Sequence, residues 1–90
     1  MIKKTLKVQN PNGLHMLSAS KIAEISNHCR SKVSLSCKSC NYKKANGCSI
    51  IDILLMGAAR GEDISLTVKG NDEDNVLEKI EAVFAGGSGI

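Results

Sequence analysis

Segments in which apolar and polar residues alternate limit the fold of this chain more than any other feature of its sequence. They cover residues 2–9, 33–37 and 64–68. Alternation of this kind is typical of strands that bury one face and expose the other. A hairpin tip at residues 38 and 39, followed by a short strand over residues 41–45, completes a set of four predicted strands.

Between these segments the apolar residues follow the spacing of one helix face. We predict helices over residues 16–27, 49–55 and 72–84, with a frayed tail at residues 86–90. The element order is then β-α-β-β-α-β-α, in a single domain that spans residues 1–90. Strands with one polar face and helices with one apolar stripe predict an open-faced, two-layer α+β sandwich, in which three helices cover one face of a four-stranded antiparallel sheet.

Composition argues against several classes of function. Aromatic residues make up 2% of the chain, namely Tyr42 and Phe84, which argues against modules that bind nucleic acid by base stacking. The net charge of +3 comes from lysines spread along the chain, so no nucleic-acid footprint is expected. No apolar run reaches the length of a membrane span, and the first residues lack the apolar core of a signal peptide, so we expect a cytoplasmic protein that does not enter the membrane.

One stretch joins a turn directly to a helix. Asn10-Pro11-Asn12-Gly13 has the composition of a tight turn, and His15 follows just before the predicted helix. The first N–H groups of a helix have no partner within it, and together with the helix dipole they attract anions. We therefore expect the backbone at Met16, Leu17 and Ser18 to bind phosphate oxygens while the imidazole of His15 carries a phosphoryl group.

The same stretch resembles the active-site loop of the HPr family, the histidine phosphocarriers of the bacterial sugar phosphotransferase system. That family has Gly-Leu-His, any residue, Arg, Pro and Ala, and this chain has Gly13-Leu14-His15 and Ala19, with Leu17 and Ser18 in place of the Arg and Pro. Residues 48–61 resemble the regulatory-serine helix of the family and the turn after it. The resemblance extends over nearly the whole chain in length and element order, and it implies the same open-faced sandwich.

What the resemblance implies about function is a cycle of phosphorylation at His15. The partners would be an enzyme I type kinase upstream and sugar-permease subunits downstream, with a serine kinase or regulator as a further partner. We expect a monomer without a cofactor, acting as a substrate of phosphotransferases rather than as a stand-alone catalyst.

The replaced loop residues leave an alternative open. Leu17 cannot supply the positive charge that pairs with phosphate oxygens, and Ser18 offers one hydrogen-bond donor without charge. His15 could then serve only as a helix cap, in a regulatory or protein-interaction module of the same fold that has lost carrier activity. The sequence gives the two interpretations similar weight.

Ser49 allows two interpretations as well. It matches the position of the family's regulatory phosphoserine, and a helix N-terminus suits a phosphate. Serine is also a preferred N-cap, and Asp52 three residues later completes a capping-box pattern while repelling a phosphate. We favour the cap.

The helix that begins after Ser49 has too many apolar residues for one buried stripe. We predict that part of this helix contacts partner proteins, because exposed apolar patches usually mark interaction sites. The predicted partner surface consists of Ile50, Ile53, Leu54 and Met56.

The four cysteines also permit several interpretations. Cys37 and Cys40 form a Cys-x-x-Cys pair, with Cys29 before it and Cys48 after it. Such a pair could bind zinc or act as a redox pair, but four-cysteine zinc sites usually contain two close pairs and only one is present. Because disulfides are rare in a reducing compartment, free thiols without a metal are the preferred interpretation.

Overall fold

A computed structural model gives the fold of this chain and describes residues 1–38, 40 and 44–85. Its elements follow the predicted order, and apart from the third strand their bounds agree closely with the predicted segments. The strands and helices are β1 Ile2–Lys7, α1 Met16–Asn27, β2 Lys32–Ser36, β3 Lys44–Asn46, α2 Ile50–Met56, β4 Asp63–Lys69 and α3 Glu73–Phe84.

The four strands form one antiparallel sheet in the order β1-β4-β2-β3. Leu66 of the central strand β4 pairs with Lys4 of β1 and with Leu35 of β2. Ile64, Leu66 and Val68 are fully buried, because the period of two turns all three toward the same side. The helices cover that side, which confirms the predicted open-faced sandwich.

The structure describes the hairpin between β2 and β3 only in part. Ser36 pairs with Lys44, and the predicted tip at residues 38 and 39 stays a prediction, because it includes a residue outside the described ones. The third strand begins at Lys44, while residues 39 and 41–43, together with the predicted tail at residues 86–90, lie outside the described residues. β3 buries only Ala45, so its sequence offered a weak pattern for placing its start.

The core between the layers is mainly aliphatic, as the composition requires. Ile22 of α1, Ile53 of α2 and Ile80 of α3 are fully buried in one cluster that also contains Phe84. Over the part of the chain that the structure describes, every helix is too short or too polar to cross a membrane.

The loop before α1 is held by the segment that follows α2. The Leu14 N–H donates to the Ala58 carbonyl at 3.0 Å, and Gly13 has a φ of 73°. A Cβ at residue 13 would overlap the Ala58 carbonyl oxygen, so this close approach of two backbones requires glycine. The start of α1 therefore has a fixed position relative to the end of α2.

Candidate functional site

His15 is the N-cap residue of α1. Its backbone is extended, with φ −108° and ψ −170°, and its ring Nδ1 accepts a hydrogen bond from the Leu17 N–H at 3.2 Å. A ring nitrogen that accepts a hydrogen bond carries a lone pair, so in the neutral imidazole the proton lies on Nε2. The structure therefore places a nucleophilic nitrogen beside the backbone amides that begin the helix.

Ser18 fixes the backbone of His15 from the buried side. The Ser18 hydroxyl accepts from the His15 N–H at 2.9 Å and donates to the His15 carbonyl at 3.1 Å. The residue is fully buried. The idea that this hydroxyl supplies a donor to a bound anion is wrong for this arrangement, because its bonds hold the turn and its side chain faces the interior.

The first turn of α1 is open to an approaching anion. It contains no acidic residue, and the side chains of Met16 and Leu17 are 59% and 60% exposed. A phosphoryl group on Nδ1 would replace the bond from the Leu17 N–H and leave that donor free for a phosphate oxygen. Phosphate binding by the backbone of Met16, Leu17 and Ser18 stays a prediction that this geometry allows.

Ser49 begins α2 as the predicted N-cap, with its hydroxyl oxygen accepting from the Asp52 N–H at 3.2 Å. The reciprocal half of the predicted capping box is wrong. The Asp52 carboxylate accepts from the Asn46 N–H at 3.2 Å, and the Ser49 N–H donates to the Asn46 carbonyl at 3.0 Å. The Ser49 N–H, which a capping box would pair with the Asp52 side chain, therefore donates to a carbonyl of the turn before the helix.

The apolar surface of α2 is not the one predicted. Ile53 and Met56 are fully buried, so their assignment to a partner surface is wrong, while Ile50 and Leu54 are half-buried against the core. The exposed apolar residues of this helix are Ile51, at 68%, and Leu55, at 49%. Ile51 and Leu55 are four residues apart and therefore lie on the same side of the helix. Because apolar residues occupy most sides of α2, the sequence alone does not show which side faces the core.

Cys37 and Cys40 are joined in a disulfide, with their Cα atoms 5.5 Å apart. The preference for free thiols is therefore wrong for this pair, whereas Cys29 and Cys48 are outside any disulfide. The four-cysteine zinc hypothesis also fails, because the group of possible metal ligands found among the described residues joins Cys37 and Cys40 to Glu62 instead. Nothing in the sequence spacing pointed to Glu62.

The start of α3 is tied to the rest of the molecule by carboxylates. Asp72 accepts from the Arg30 N–H at 2.9 Å and from the Ser31 hydroxyl, and these bonds, led by the one from Arg30, lower the pKa of the Asp72 carboxyl. The Glu73 carboxylate binds the Met1 ammonium at 3.0 Å and accepts from the Gly70 N–H. The ammonium is the main cause of the lowered pKa of Glu73.

Comparison with known proteins gives a consistent result over the whole fold. The family model described as the PTS HPr component phosphorylation site matches residues 2–86. The phosphocarrier protein HPr of Treponema pallidum is 32% identical to this chain over 84 residues, which cover 93% of this chain and 92% of that protein.

Solved structures agree with this result at the level of the fold. The crystal structure of HPr-C-His from Thermoanaerobacter tengcongensis superposes with a TM-score of 0.86 at 24% identity, covering 100% of this chain and 98% of that one. The catabolite repression protein Crh of Bacillus subtilis, crystallised as a domain-swapped dimer, gives a TM-score of 0.71 at 26% identity, with 97% of each chain covered.

Proposed function

The chain belongs to the HPr family of phosphocarrier proteins of the phosphotransferase system, and on this premise we propose that His15 is the residue that accepts and passes on the phosphoryl group. The observation that carries the proposal is the position of His15 Nδ1, which directs its lone pair at the first backbone amides of α1. A neutral imidazole is nucleophilic near neutral pH, which suits a group that must both accept and release phosphate.

The proposed transfer uses the imidazole of His15 and the backbone amide of Leu17. The Nδ1 lone pair attacks phosphorus, an N–P bond forms, and the bond to the donor breaks with its electron pair leaving on the donor. The proton on Nε2 stays in place, and the freed amide of Leu17 meets a phosphate oxygen. The same steps in reverse order, with a different protein, return the imidazole to its starting state.

Leu17 makes this carrier depend on backbone donors. The family places an arginine at this position, and a guanidinium binds phosphate oxygens through two parallel charge-assisted bonds. Leu17 offers none, so amide dipoles would hold the phosphoryl group without a charge from this position. We expect a slow carrier. No observation favours the alternative of an interaction module without carrier activity.

The partners dock on apolar side chains that α1 and α2 leave exposed. Met16 and Leu17 follow it directly, and α1 packs against α2, which exposes Ile51 and Leu55. These four residues form the proposed docking surface for an enzyme I type kinase and for sugar-permease subunits of the same system. The carrier would meet both in the cytoplasm as a monomer.

Incubation of the full chain with enzyme I and isotopically labelled phosphoenolpyruvate tests the proposal. We expect an acid-labile, base-stable label, as for an N–P bond, and no label in His15→Ala. His28→Ala is the matched control, because His28 caps the other end of α1 and should leave labelling unchanged. A folded native chain that takes up no label, or a label that survives in His15→Ala, would refute the role of His15.

A further inference from the structure

The disulfide lies beside an open cavity on the side of the sheet that the helices leave uncovered. The cavity has a volume of about 640 Å³, and Cys37, Glu62 and the outward-facing Thr5, Ser36 and Ser65 contribute to its walls. Carrier chemistry at His15 makes no use of these groups. We propose that Cys37 and Cys40 form a thiol–disulfide exchange site, in which Glu62 accepts hydrogen bonds from the reduced pair and the substrate is a dithiol or its disulfide.

The two sulfur atoms differ in accessibility. Cys37 is 3% exposed, whereas Cys40 is half-buried. Exchange requires an attacking thiolate to reach one sulfur in line with the bond that breaks, so access selects the sulfur attacked. Cys40 is therefore the sulfur that receives the incoming thiolate, and Cys37 is the leaving group.

Glu62 distinguishes the two redox states. Its Oε2 lies 2.7 Å from Cys40 Sγ and 3.3 Å from Cys37 Sγ. A carboxylate can only accept hydrogen bonds, and disulfide sulfurs carry no hydrogen, so the oxidised pair gains no hydrogen bond from this contact. After reduction each thiol can donate to Oε2. The carboxylate therefore stabilises the dithiol relative to the disulfide.

Two hydrogen bonds fix the backbone of Glu62, whose carboxylate lies beside the two sulfur atoms. Its N–H donates to the Ala59 carbonyl at 3.1 Å, and its carbonyl accepts from the Val8 N–H at 2.9 Å. Both bonds are independent of the side chain. A change at the carboxylate can therefore alter the redox balance while the loop keeps these two bonds.

The exchange balances without any other reagent. A thiolate of the external dithiol attacks Cys40 Sγ, a mixed disulfide forms, and the Cys37–Cys40 bond breaks with its electron pair going to Cys37 Sγ. The second thiol of the reagent, as thiolate, then attacks the reagent's sulfur in the mixed disulfide and releases Cys40 as a thiolate. Two electrons and two protons pass from the dithiol to the protein, and the reagent leaves as its own disulfide. The reverse sequence oxidises the protein.

A redox titration of the full chain tests this site directly. The protein is equilibrated with mixtures of reduced and oxidised dithiothreitol, quenched with acid, alkylated and analysed by peptide mass spectrometry. We expect one reversible two-electron transition confined to Cys37 and Cys40. Cys29 and Cys48 serve as internal controls, because both are free thiols and should be alkylated at every ratio. His15 does not enter this assay, so it can fail or succeed whether or not the chain carries phosphate.

A matched pair of charge variants tests the role of Glu62. Glu62→Gln should shift the equilibrium with dithiothreitol toward the disulfide by about tenfold, or about 30 mV for a two-electron couple. Asp63→Asn removes the same charge from the next residue, whose carboxylate is exposed and lies 3.7 Å from the Lys7 ammonium. We expect it to shift the equilibrium less than twofold. Equal shifts in the two variants would overturn the role of Glu62.

Two further outcomes would overturn the exchange site itself. One is a Cys37–Cys40 bond that dithiothreitol reduces only after the chain has been unfolded by urea. The other is protein purified under reducing conditions with about one zinc per chain and no disulfide formation in glutathione disulfide, because Cys37, Cys40 and Glu62 would then be metal ligands. A double variant, Cys37→Ala with Cys40→Ala, should lose the transition while its melting curve shows a single folded state.

Discussion

Helices α1 and α2 begin in the same way and present different chemistry to the solvent. Each starts at a residue whose side chain accepts a bond from a first-turn amide, at 3.2 Å in both cases. In α1 the acceptor is the imidazole of His15, and in α2 it is the hydroxyl of Ser49. The backbone at the two helix starts is therefore similar, and the side chains decide what each start can do.

The difference lies in what already occupies the positive end of the helix. The first turn of α1 has no acidic side chain. Ser18, whose hydroxyl fixes the backbone of His15, lies on the buried side. The first turn of α2 contains Asp52, whose carboxylate also bonds the Asn46 amide. The start of α1 is open to an anion, whereas the start of α2 already has the carboxylate of Asp52. We therefore expect an anion to bind at the start of α1 rather than at the start of α2.

Leu17→Arg should produce the largest change, because it adds a charge to the helix start that has none. A charge-assisted bond contributes about 1.5–3 kcal/mol, so the rate of phosphorylation at His15 should rise at least tenfold in a labelling time course with enzyme I. Ser18 is kept, since it braces His15. Leu17→Gln, which is polar but uncharged, should give a much smaller rise. A similar rate in both variants would mean that charge at this position does not limit transfer.

Ser49→Ala tests whether α2 depends on its cap. We expect a loss of about 0.5–2 kcal/mol in the free energy of unfolding, measured by urea denaturation, because the Asp52 amide loses its acceptor. Ser49→Asn keeps a capping side chain and should lose less. If Ser49→Ala is as stable as the native chain, capping is the wrong explanation of this serine, and a phosphorylation role gains support.

Asp52→Asn should have a smaller effect than Ser49→Ala. The carboxylate interacts with the helix dipole, which contributes about 0.3–1 kcal/mol, and asparagine can still accept from the Asn46 amide. The same urea experiment measures the loss, and added sulfate gives a second result. Sulfate should stabilise Asp52→Asn more than the native chain, because the start of α2 then lacks its own anion. Equal stabilisation would contradict the explanation based on Asp52.

The start of α3 extends the comparison through its pH dependence. The pKa values of Asp72 and Glu73 are lowered in the folded chain, so their contribution to stability is present above the unfolded values, about 3.9 and 4.3. It is lost as pH falls through the lower folded values. The melting temperature should therefore decrease below about pH 4. Asp72→Asn should flatten that decrease slightly, because it removes one of the two carboxyls whose pKa is lowered.

The candidate site was only partly predictable. The position of His15 just before α1 follows from a turn composition joined to a helical pattern, and both signals are local. The inward orientation of Ser18 could not be predicted, because it depends on how α1 packs against the core. For the same reason the sequence assigned Ile53 and Met56 to the surface, and the structure exposes Ile51 and Leu55 instead.

The sequence by itself determined the element order and the open-faced layering, because the periods of two and 3.6 residues are properties of neighbouring residues. Tertiary structure alone decided which strand positions pair, as in Ser36 with Lys44, and which side of α2 is buried. It also brought the Glu62 carboxylate against the sulfurs of Cys37 and Cys40. The Glu62 contacts join residues 25 and 22 positions apart in the chain. The energies of all these contacts depend on packing that no local pattern records.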